Sequence, residues 1–518
     1  MSVPGSKLPA SAEREVKLGA APSFHLPEFG DLAEGVVAGP EQEARLETTY
    51  YDTADLRLAR WGLSLRHRGG EGWTLKLPGS SDGTLLTRGE LTFSGPARRP
   101  PPDAVTLVRA YLRGAPLEAV ARLSTWRRRV ALQDEAGRAL AEVVDDEVSV
   151  IHGRRVAARF REVEVELRPG GDPLLPRLLE RLRRAGAGRP DPTPKYVRAL
   201  GPAALAEPDV AVRHLDPGAA TADVVRNALA AGVVLVLSHD PLIRLGGDPE
   251  DIHQARVGTR RLRSHLRTFR PFLDRAWTDS LRDELGWLAA ELGAVRDYEV
   301  LLERVEALAP RLAAADAKPL AGLTGQLEKA IAGCRDRLLA AMSSPRYYEL
   351  IERLVAASEQ PPLNEEAADR MAAPAAEAMP ALVIKPWRDL RRAARALGER
   401  PPDEDLHRVR ILAKRVRYAA EAVAPAVGPQ ASRFAKLAAA LQTELGEHQD
   451  SVTARSWLRQ AARSTRRAFV AGQLYALEAA RGEESRGRWP DAWLAIDRRR
   501  ARAWMTPERM KTRARGST

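Results

Sequence analysis

The stretch Ile252–Phe272, IHQARVGTRRLRSHLRTFRPF, decides how this chain is read. Ile252, Ala255, Thr259, Leu262, Leu266 and Phe269 recur at steps of three and four, the spacing of one buried helix face. His253, Arg256, Arg260, Arg263, Arg267 and Arg270 follow one position later and make the neighbouring face, while Arg261 falls further round. Almost no carboxylate is interleaved, so the stripe repels itself unless an anion lies along it.

Working outward, the pattern returns at Leu406–Ala420, LHRVRILAKRVRYAA. His253 aligns with His407, Arg256 with Arg410, Arg260 with Lys414, Arg261 with Arg415 and Arg263 with Arg417. The positions expected to be buried align as well: Ile252 with Leu406, Val257 with Ile411, Leu262 with Val416. Each copy precedes a Leu-Gly-x-x-x-Asp segment, LGAVRD ending at Asp297 and LGEHQD ending at Asp450. Both segments read as turns whose aspartates orient arginines of the basic helix by bidentate pairing. A helical unit with its basic face has been duplicated. The two basic helices are expected side by side about an approximate two-fold axis, lining one groove.

This duplicated pattern resembles the CHAD domain, over roughly Thr221 to Arg500. The resemblance implies two similar helical bundles, about 221–360 and 364–482, around a basic surface that binds inorganic polyphosphate. The residues implied are His253, Arg256, Arg260, Arg261 and Arg263, with His407, Arg410, Lys414, Arg415 and Arg417 in the second copy. Neither histidine has a second His, Cys or carboxylate at ligand spacing on its face, so a metal role is set aside in favour of hydrogen bonding.

The N-terminal part follows another rule. Glu13, Glu15 and Lys17 alternate in EREVK, and in a strand alternate residues share a face. WGLSLRHR sets Leu63 and Leu65 against Ser64, Arg66 and Arg68, and WTLKL sets Trp73, Leu75 and Leu77 against Thr74 and Lys76. Thr84–Phe93 puts Arg88 and Glu90 on one side, Thr125–Leu132 aligns Arg127 with Arg129, and Leu140–Val150 aligns Glu142 with Asp146. FREVEVELR aligns Glu162, Glu164 and Glu166 against Val163, Val165 and Leu167. With Glu43–Tyr51 this gives about eight strands, each charged on one face and apolar on the other. Eight antiparallel strands can close into a barrel around a small ligand. Charged faces outward would give an ordinary core. Charged faces inward would need helices over the apolar faces, and Asp103–Leu123 and Pro173–Ala185 both look helical.

The inward alternative matches a known family. Residues 11 to about 200 resemble the CYTH domain of the triphosphate tunnel metalloenzymes, opening on Glu13, Glu15 and Lys17 and closing on PKYVRAL with Lys195 and Arg198. The resemblance implies that Lys17, Arg66, Arg68, Lys76, Arg127, Arg129 and Lys195 hold a triphosphate. It implies that Glu13, Glu15, Glu142, Asp146, Glu162, Glu164 and Glu166 supply ligands for Mg²⁺ or Mn²⁺. Of the adjacent Asp145 and Asp146, parity turns Asp146 inward. Pro194 departs from the family, which has serine before the lysine.

The fold class expected is therefore α+β: an eight-stranded antiparallel β tunnel over 11–200, then an all-α domain of two similar bundles over 221–500. A Pro/Ala/Gly-rich linker is expected at 201–220, with a solvated basic tail at 501–518. Composition agrees with a polyanion partner: 518 residues carry a net charge of +12 and a pI near 10.0. Nucleic acid is argued against by the absence of zinc-finger spacing and by an aromatic content of only 5%, too thin for stacking platforms. The single cysteine, Cys334, excludes an internal disulfide and fits a small buried side chain in a reducing compartment. No apolar run approaches the ~20 residues that span a bilayer, and the first residues are no signal peptide. The expected location is cytoplasmic, with polyphosphate granules as a place of association. Three activities stay open: hydrolysis of inorganic triphosphate, polyphosphate binding without turnover, and a tunnel acting on an organic triphosphate as a thiamine triphosphatase or adenylate cyclase.

Overall fold

Alternation of charged and apolar residues produces long strands that are buried on both faces. In the computed structural model, which describes residues 12–82, 85–216, 218–462 and 465–505, eight of them close a barrel. They are β1 (Ala12–Ala20), β2 (Gln42–Asp52), β3 (Ser64–Arg68), β4 (Gly72–Lys76), β5 (Leu85–Phe93), β6 (Glu118–Asp134), β7 (Ala139–His152) and β8 (Arg155–Leu167). The antiparallel order is β1-β8-β7-β6-β2-β3-β4-β5, and β5 returns to β1. Short strands Val36–Ala38, Ser80–Asp82 and Ala187–Pro190 add to β6, β5 and β1.

The apolar faces point outward. Val16, Leu18, Val143, Val163 and Val165 are fully buried outside the barrel, beneath Leu178 and Leu182 of α2 (Leu175–Arg184). A core on the outer surface leaves the lumen to charged residues, the inward alternative. The helix expected at 103–123 is shorter: α1 (Pro102–Leu112) ends on Arg113 in the left-handed region (φ 48°), and β6 begins at Glu118. The β-rich pattern of Val120, Leu123 and Thr125 takes over once the chain has turned. A short helix, α3 (Lys195–Leu200), follows Pro194.

The chain divides into two compact units, 1–209 with 238–248, and 210–237 with 249–518. The stretch 201–209, placed by the sequence at the start of a linker, holds a 3-10 turn with Ala204 buried and falls in the first unit.

The second unit is helical: α4 (Thr221–Leu245), of which 238–245 fall in the first unit, α5 (Pro249–Thr268), α6 (Arg275–Leu308), α7 (Ala317–Met342) and α8 (Pro345–Glu359), then α9 (Ala381–Arg395), α10 (Asp403–Val427), α11 (Pro429–Ala461) and α12 (Thr465–Ile496). Two short helices, Ala368–Ala372 and Ala375–Ala378, precede α9, where prolines interrupt the sequence. The apolar stripe of α5 is buried from Ile252 to Phe269. A β carbon at Gly258 would stand 2.9 Å from the Gly232 carbonyl, so glycine here lets α5 and α4 approach closely.

Four expectations are corrected. α6 and α11 run unbroken through LGAVRD and LGEHQD, so neither segment is a turn. Ile411 is 38% exposed, because the groove described below opens beside it. Residues 498–505 are ordered, with Trp504 and Met505 buried and Trp504 against Phe434; residues 506–518 and 1–11 lie outside the described ones. Finally, α4 is long and apolar enough to cross a membrane by length and composition, but 67% of its apolar window is buried inside the protein. Its Val and Leu residues serve a core.

Candidate functional site

Strand register brings the charged residues together. Glu15 opposes Glu166 and Lys17 opposes Glu164 across β1–β8, and Glu166 opposes Glu142 and Glu162 opposes Asp146 across β8–β7. Asp146 in turn opposes Arg127 of β6. On the far side Ser64 opposes Lys76, which opposes Glu90, while Arg66 and Arg68 oppose Tyr50 and Thr48. Directly opposed residues share a face, so all of these point inward. Glu13 opposes Arg88 in the backbone register; its side chain lies outside the described residues.

The lumen holds a cavity of about 190 Å³ with two unlike walls. Glu15, Glu142, Glu164 and Glu166 form one, and Arg66, Arg68, Lys76 and Arg88 the other. Lys17, Arg127 and Lys195 stand among the carboxylates, and Glu71 and Glu90 among the cations. The Lys17 ammonium is 3.0 Å from Glu15 and also bonds Glu164. The Lys195 ammonium reaches Asp146, Glu162 and Glu164, each at 2.8 Å. Arg127 grips Asp146 through two nitrogens at 2.8 and 2.7 Å.

The electrostatics follow from burial plus pairing. Burial alone would raise the Glu164 carboxyl, but Lys17, Lys195 and Arg127 outweigh it and hold it well below the carboxylate range. Burial opposes charge on Lys195 too, and three carboxylates overcome it and push its ammonium up. On the other wall burial, then the charges of Arg66 and Arg127, lowers Arg68. That wall is short of negative charge, and an anion there would restore the balance.

Not every expected residue lines the cavity. Asp146 and Glu162 are fully buried behind the wall, holding Lys195. Arg129 is half exposed, donates to Gln42 at 3.0 Å and lies outside the cavity. Asp145, as parity required, faces the other way and bonds Arg161. Residues that the sequence reading passed over are Tyr50, Glu71 and Tyr196. Tyr50 shares the inward parity of Thr48, so alternation alone would have found it. Glu71 sits in the β3–β4 turn, where no period applies, and bonds Arg68 at 2.9 Å.

The chemistry of the donor set fits a hard divalent cation, because Glu15, Glu142, Glu164 and Glu166 offer only oxygens. Among the described residues, no three are already arranged as a metal cage. The Lys17 ammonium lies between Glu15 and Glu164, so a cation there requires Lys17 to swing aside.

In the second unit α5 and α10 meet at a groove of about 230 Å³ lined by Arg260, Arg263, Arg267 and Arg282 of the first repeat and Lys414 and Arg415 of the second. The glycines of the repeated Leu-Gly segments leave room for arginines. A β carbon at Gly293 would stand 3.7 Å from the Arg256 guanidinium, and one at Gly446 would stand 3.7 Å from that of Arg410. Asp297 pairs Arg256 through one contact at 2.9 Å, without the bidentate geometry expected. Burial, with the charges of Arg410, Arg260 and Arg256, pushes Lys414 down to about 7 despite Asp450. Buried nitrogens of Arg260, Arg410 and His407 find no hydrogen-bond partner among the described residues. Burial, then Arg296, Arg260 and Arg256, also lowers the half-buried His253 imidazole.

The duplication is not kept at every position. Arg263 lines the groove, but its counterpart Arg417 turns to Glu421 at 2.7 Å. Arg415 lines the groove, but its counterpart Arg261 does not. Arg267 aligns with Glu421, so one repeat carries a cation where the other carries an anion.

Comparison with known proteins agrees with both halves. The CYTH domain model matches residues 12–194, and the CHAD domain model matches residues 227–459. An uncharacterized protein of Mycobacterium tuberculosis (strain H37Rv) is 33% identical over 520 residues, covering 94% of this chain and 96% of that one. Among solved structures, PptA from Streptomyces chartreusis is 27% identical, with 53% of this chain and 100% of that one covered and a TM-score of 0.46. The CHAD domain from the plant Ricinus communis is 30% identical, with 57% and 95% covered and a TM-score of 0.44. Two matched domains in this order, and a relative similar along nearly its whole length, place the chain in the family of proteins that join a CYTH tunnel domain to a CHAD domain.

Proposed function

We propose that the tunnel hydrolyses inorganic triphosphate or short polyphosphate with a divalent cation, and that the helical unit binds inorganic polyphosphate in its groove. The supporting observation is the pair of unlike walls around one space in the lumen. Arg66, Arg68, Lys76 and Arg88 take the phosphate oxygens, and Glu15, Glu164 and Glu166 would hold Mg²⁺ or Mn²⁺. When bound, the cation neutralises phosphate charge and polarises the phosphorus–oxygen bonds.

The chain's own residues do the rest. Arg127 and Lys195 keep Glu164 ionised and fixed when the cation displaces Lys17. Water attacks the terminal phosphorus, the bond to the bridging oxygen breaks, and the diphosphate leaves with its new charge against the cationic wall. Glu142 borders the same space and receives the proton of the attacking water. The lining is charged apart from Ser64, Pro194 and the rings of Tyr50 and Tyr196, which pack on each other at 5.5 Å. This favours the inorganic substrate over the organic triphosphates.

The test is phosphate release by the full chain with tripolyphosphate, ATP, thiamine triphosphate and long-chain polyphosphate, with and without Mg²⁺ or Mn²⁺. The reading expects metal-dependent turnover that is fastest on tripolyphosphate. Faster turnover of ATP or thiamine triphosphate overturns the substrate, and no turnover of any of them leaves a binding protein.

A further inference from the structure

Beyond the basic groove, the helical unit contains a larger cavity of about 830 Å³. Ser264, Arg267, Arg282 and Arg415 line both spaces. The rest of its lining is mixed: Leu273, Leu382, Pro386 and Leu412 give it an apolar surface, with Asn364, Lys385 and Asp389 beside them. A linear chain of inorganic phosphates has no use for the apolar part, because every unit of it is charged and hydrated.

The cationic end is not satisfied from within. Asp279 pairs with Arg270 and, at 3.4 Å, with Arg282. Arg267 and Arg415 have no carboxylate partner among the described residues. Partial burial and the charges of Arg415, Arg282 and Arg263 lower the Arg267 guanidinium. The lining has no aromatic ring, so a nucleobase would find no stacking surface there. Leucine and proline side chains instead match a saturated or isoprenoid chain, which gains on leaving water in proportion to its buried area. The volume is in the range of sites that enclose small organic ligands.

We propose that this cavity binds phosphate esters of aliphatic alcohols, with the diphosphate on Arg267, Arg282 and Arg415 and the hydrocarbon against Leu382 and Leu412. The site rests on the groove reading only in that the same arginines take the phosphate end.

Calorimetric titration of the full chain with geranyl diphosphate, inorganic diphosphate and ADP tests it. Geranyl diphosphate should bind at least about 10-fold more tightly than inorganic diphosphate, the gain from burying a few methylenes. Leu382→Asn, polar but uncharged, should bring the geranyl and inorganic ligands to about the same affinity. Arg267→Ala with Arg415→Ala should weaken both ligands. Equal affinity for the geranyl and inorganic ligands overturns the proposal, and so does ADP binding more tightly than geranyl diphosphate. Capture on phosphatidic acid vesicles with no binding of soluble geranyl diphosphate overturns it in favour of a membrane surface. Long-chain polyphosphate, titrated alongside, separates the two readings: geranyl diphosphate binding that persists where polyphosphate does not bind supports this site and removes only the groove's proposed ligand.

Discussion

The barrel and the helical groove both gather cations, but they treat them in opposite ways. In the barrel, Lys17, Lys195 and Arg127 each touch carboxylates, and Lys76 lies 3.1 Å from Glu90. In the groove, Arg260, Arg263, Arg267, Lys414 and Arg415 line a space to which no carboxylate contributes. Charges neutralised from within are held in place, their pairing offsetting what burial costs them, which suits chemistry on a small, exactingly positioned anion. Charges left against one another destabilise the empty protein and are relieved by an outside polyanion, which suits binding. The same residue types thus serve two ends, and their partners decide which.

The sharpest way to break this comparison is to remove a carboxylate from the barrel. Glu15→Gln keeps the shape and deletes a negative charge beside Lys17. Turnover of tripolyphosphate should fall by about 100-fold or more, the scale seen when a metal's surroundings are altered, and added Mg²⁺ should restore part of it. Long-chain polyphosphate binding should not change. Steady-state phosphate release across a Mg²⁺ series checks this, and wild-type rates would remove Glu15 from the site.

Next in size is the groove. Arg260→Ala with Arg263→Ala should weaken long-chain polyphosphate by about 10- to 100-fold at low salt and make the log–log salt dependence shallower by about 0.7 per lost contact. Tripolyphosphate turnover should stay as in the wild type. Titrations at two salt concentrations read both numbers, and a salt slope unchanged in the variant would sink the groove. Duplex DNA bound as tightly as long polyphosphate would sink the choice of ligand.

A smaller effect sharpens the account of the cationic wall. Lys76→Met preserves length and removes a charge that faces Glu90 and the cavity. The kcat/KM for tripolyphosphate should drop by about 10-fold, the lower range for a hydrogen bond to a charged group. An unaffected enzyme would reverse the inward assignment of β4.

These residues also show how far sequence reasoning reaches. Period two put Glu15, Lys17, Lys76, Glu164 and Glu166 on the charged faces of their strands, but alternation alone left open whether those faces turned in or out, and the likeness to the CYTH domain chose inward. It could not separate Glu164, which lines the cavity, from Glu162, which is sealed behind it, since both share a face and differ only in depth. Period three-and-four placed the buried stripe of α5. It failed at Ile411 and at the Leu-Gly segments, because a glycine inside a helix looks like a turn until the arginine lying over it is seen. Duplication aligned the cations correctly in sequence and overstated their symmetry, since Glu421 recruits Arg417 within its own helix.

The last test concerns Lys414, where the groove's imbalance reaches a single proton. Its ammonium is pushed down to about 7, first by burial and then by Arg410, Arg260 and Arg256. In the unfolded chain a lysine keeps its proton up to about pH 10.4. The unfolded state therefore binds more protons between about 7 and 10, and this group makes stability rise with pH across that window. Below it the penalty is fully present, because the folded lysine is charged as well. Lys414→Met should flatten that rise, which thermal melts at pH 6.5 and 9 would show. A polyanion in the groove reverses the local field and draws the proton back. Binding near pH 7.5 should then take up a fraction of a proton, seen as a binding enthalpy that varies with the ionisation enthalpy of the buffer. Lys414→Arg, charged throughout, should bind with no such variation. Proton uptake of equal size in that variant would place the titrating group elsewhere in the groove, with half-buried His253 the next residue to test.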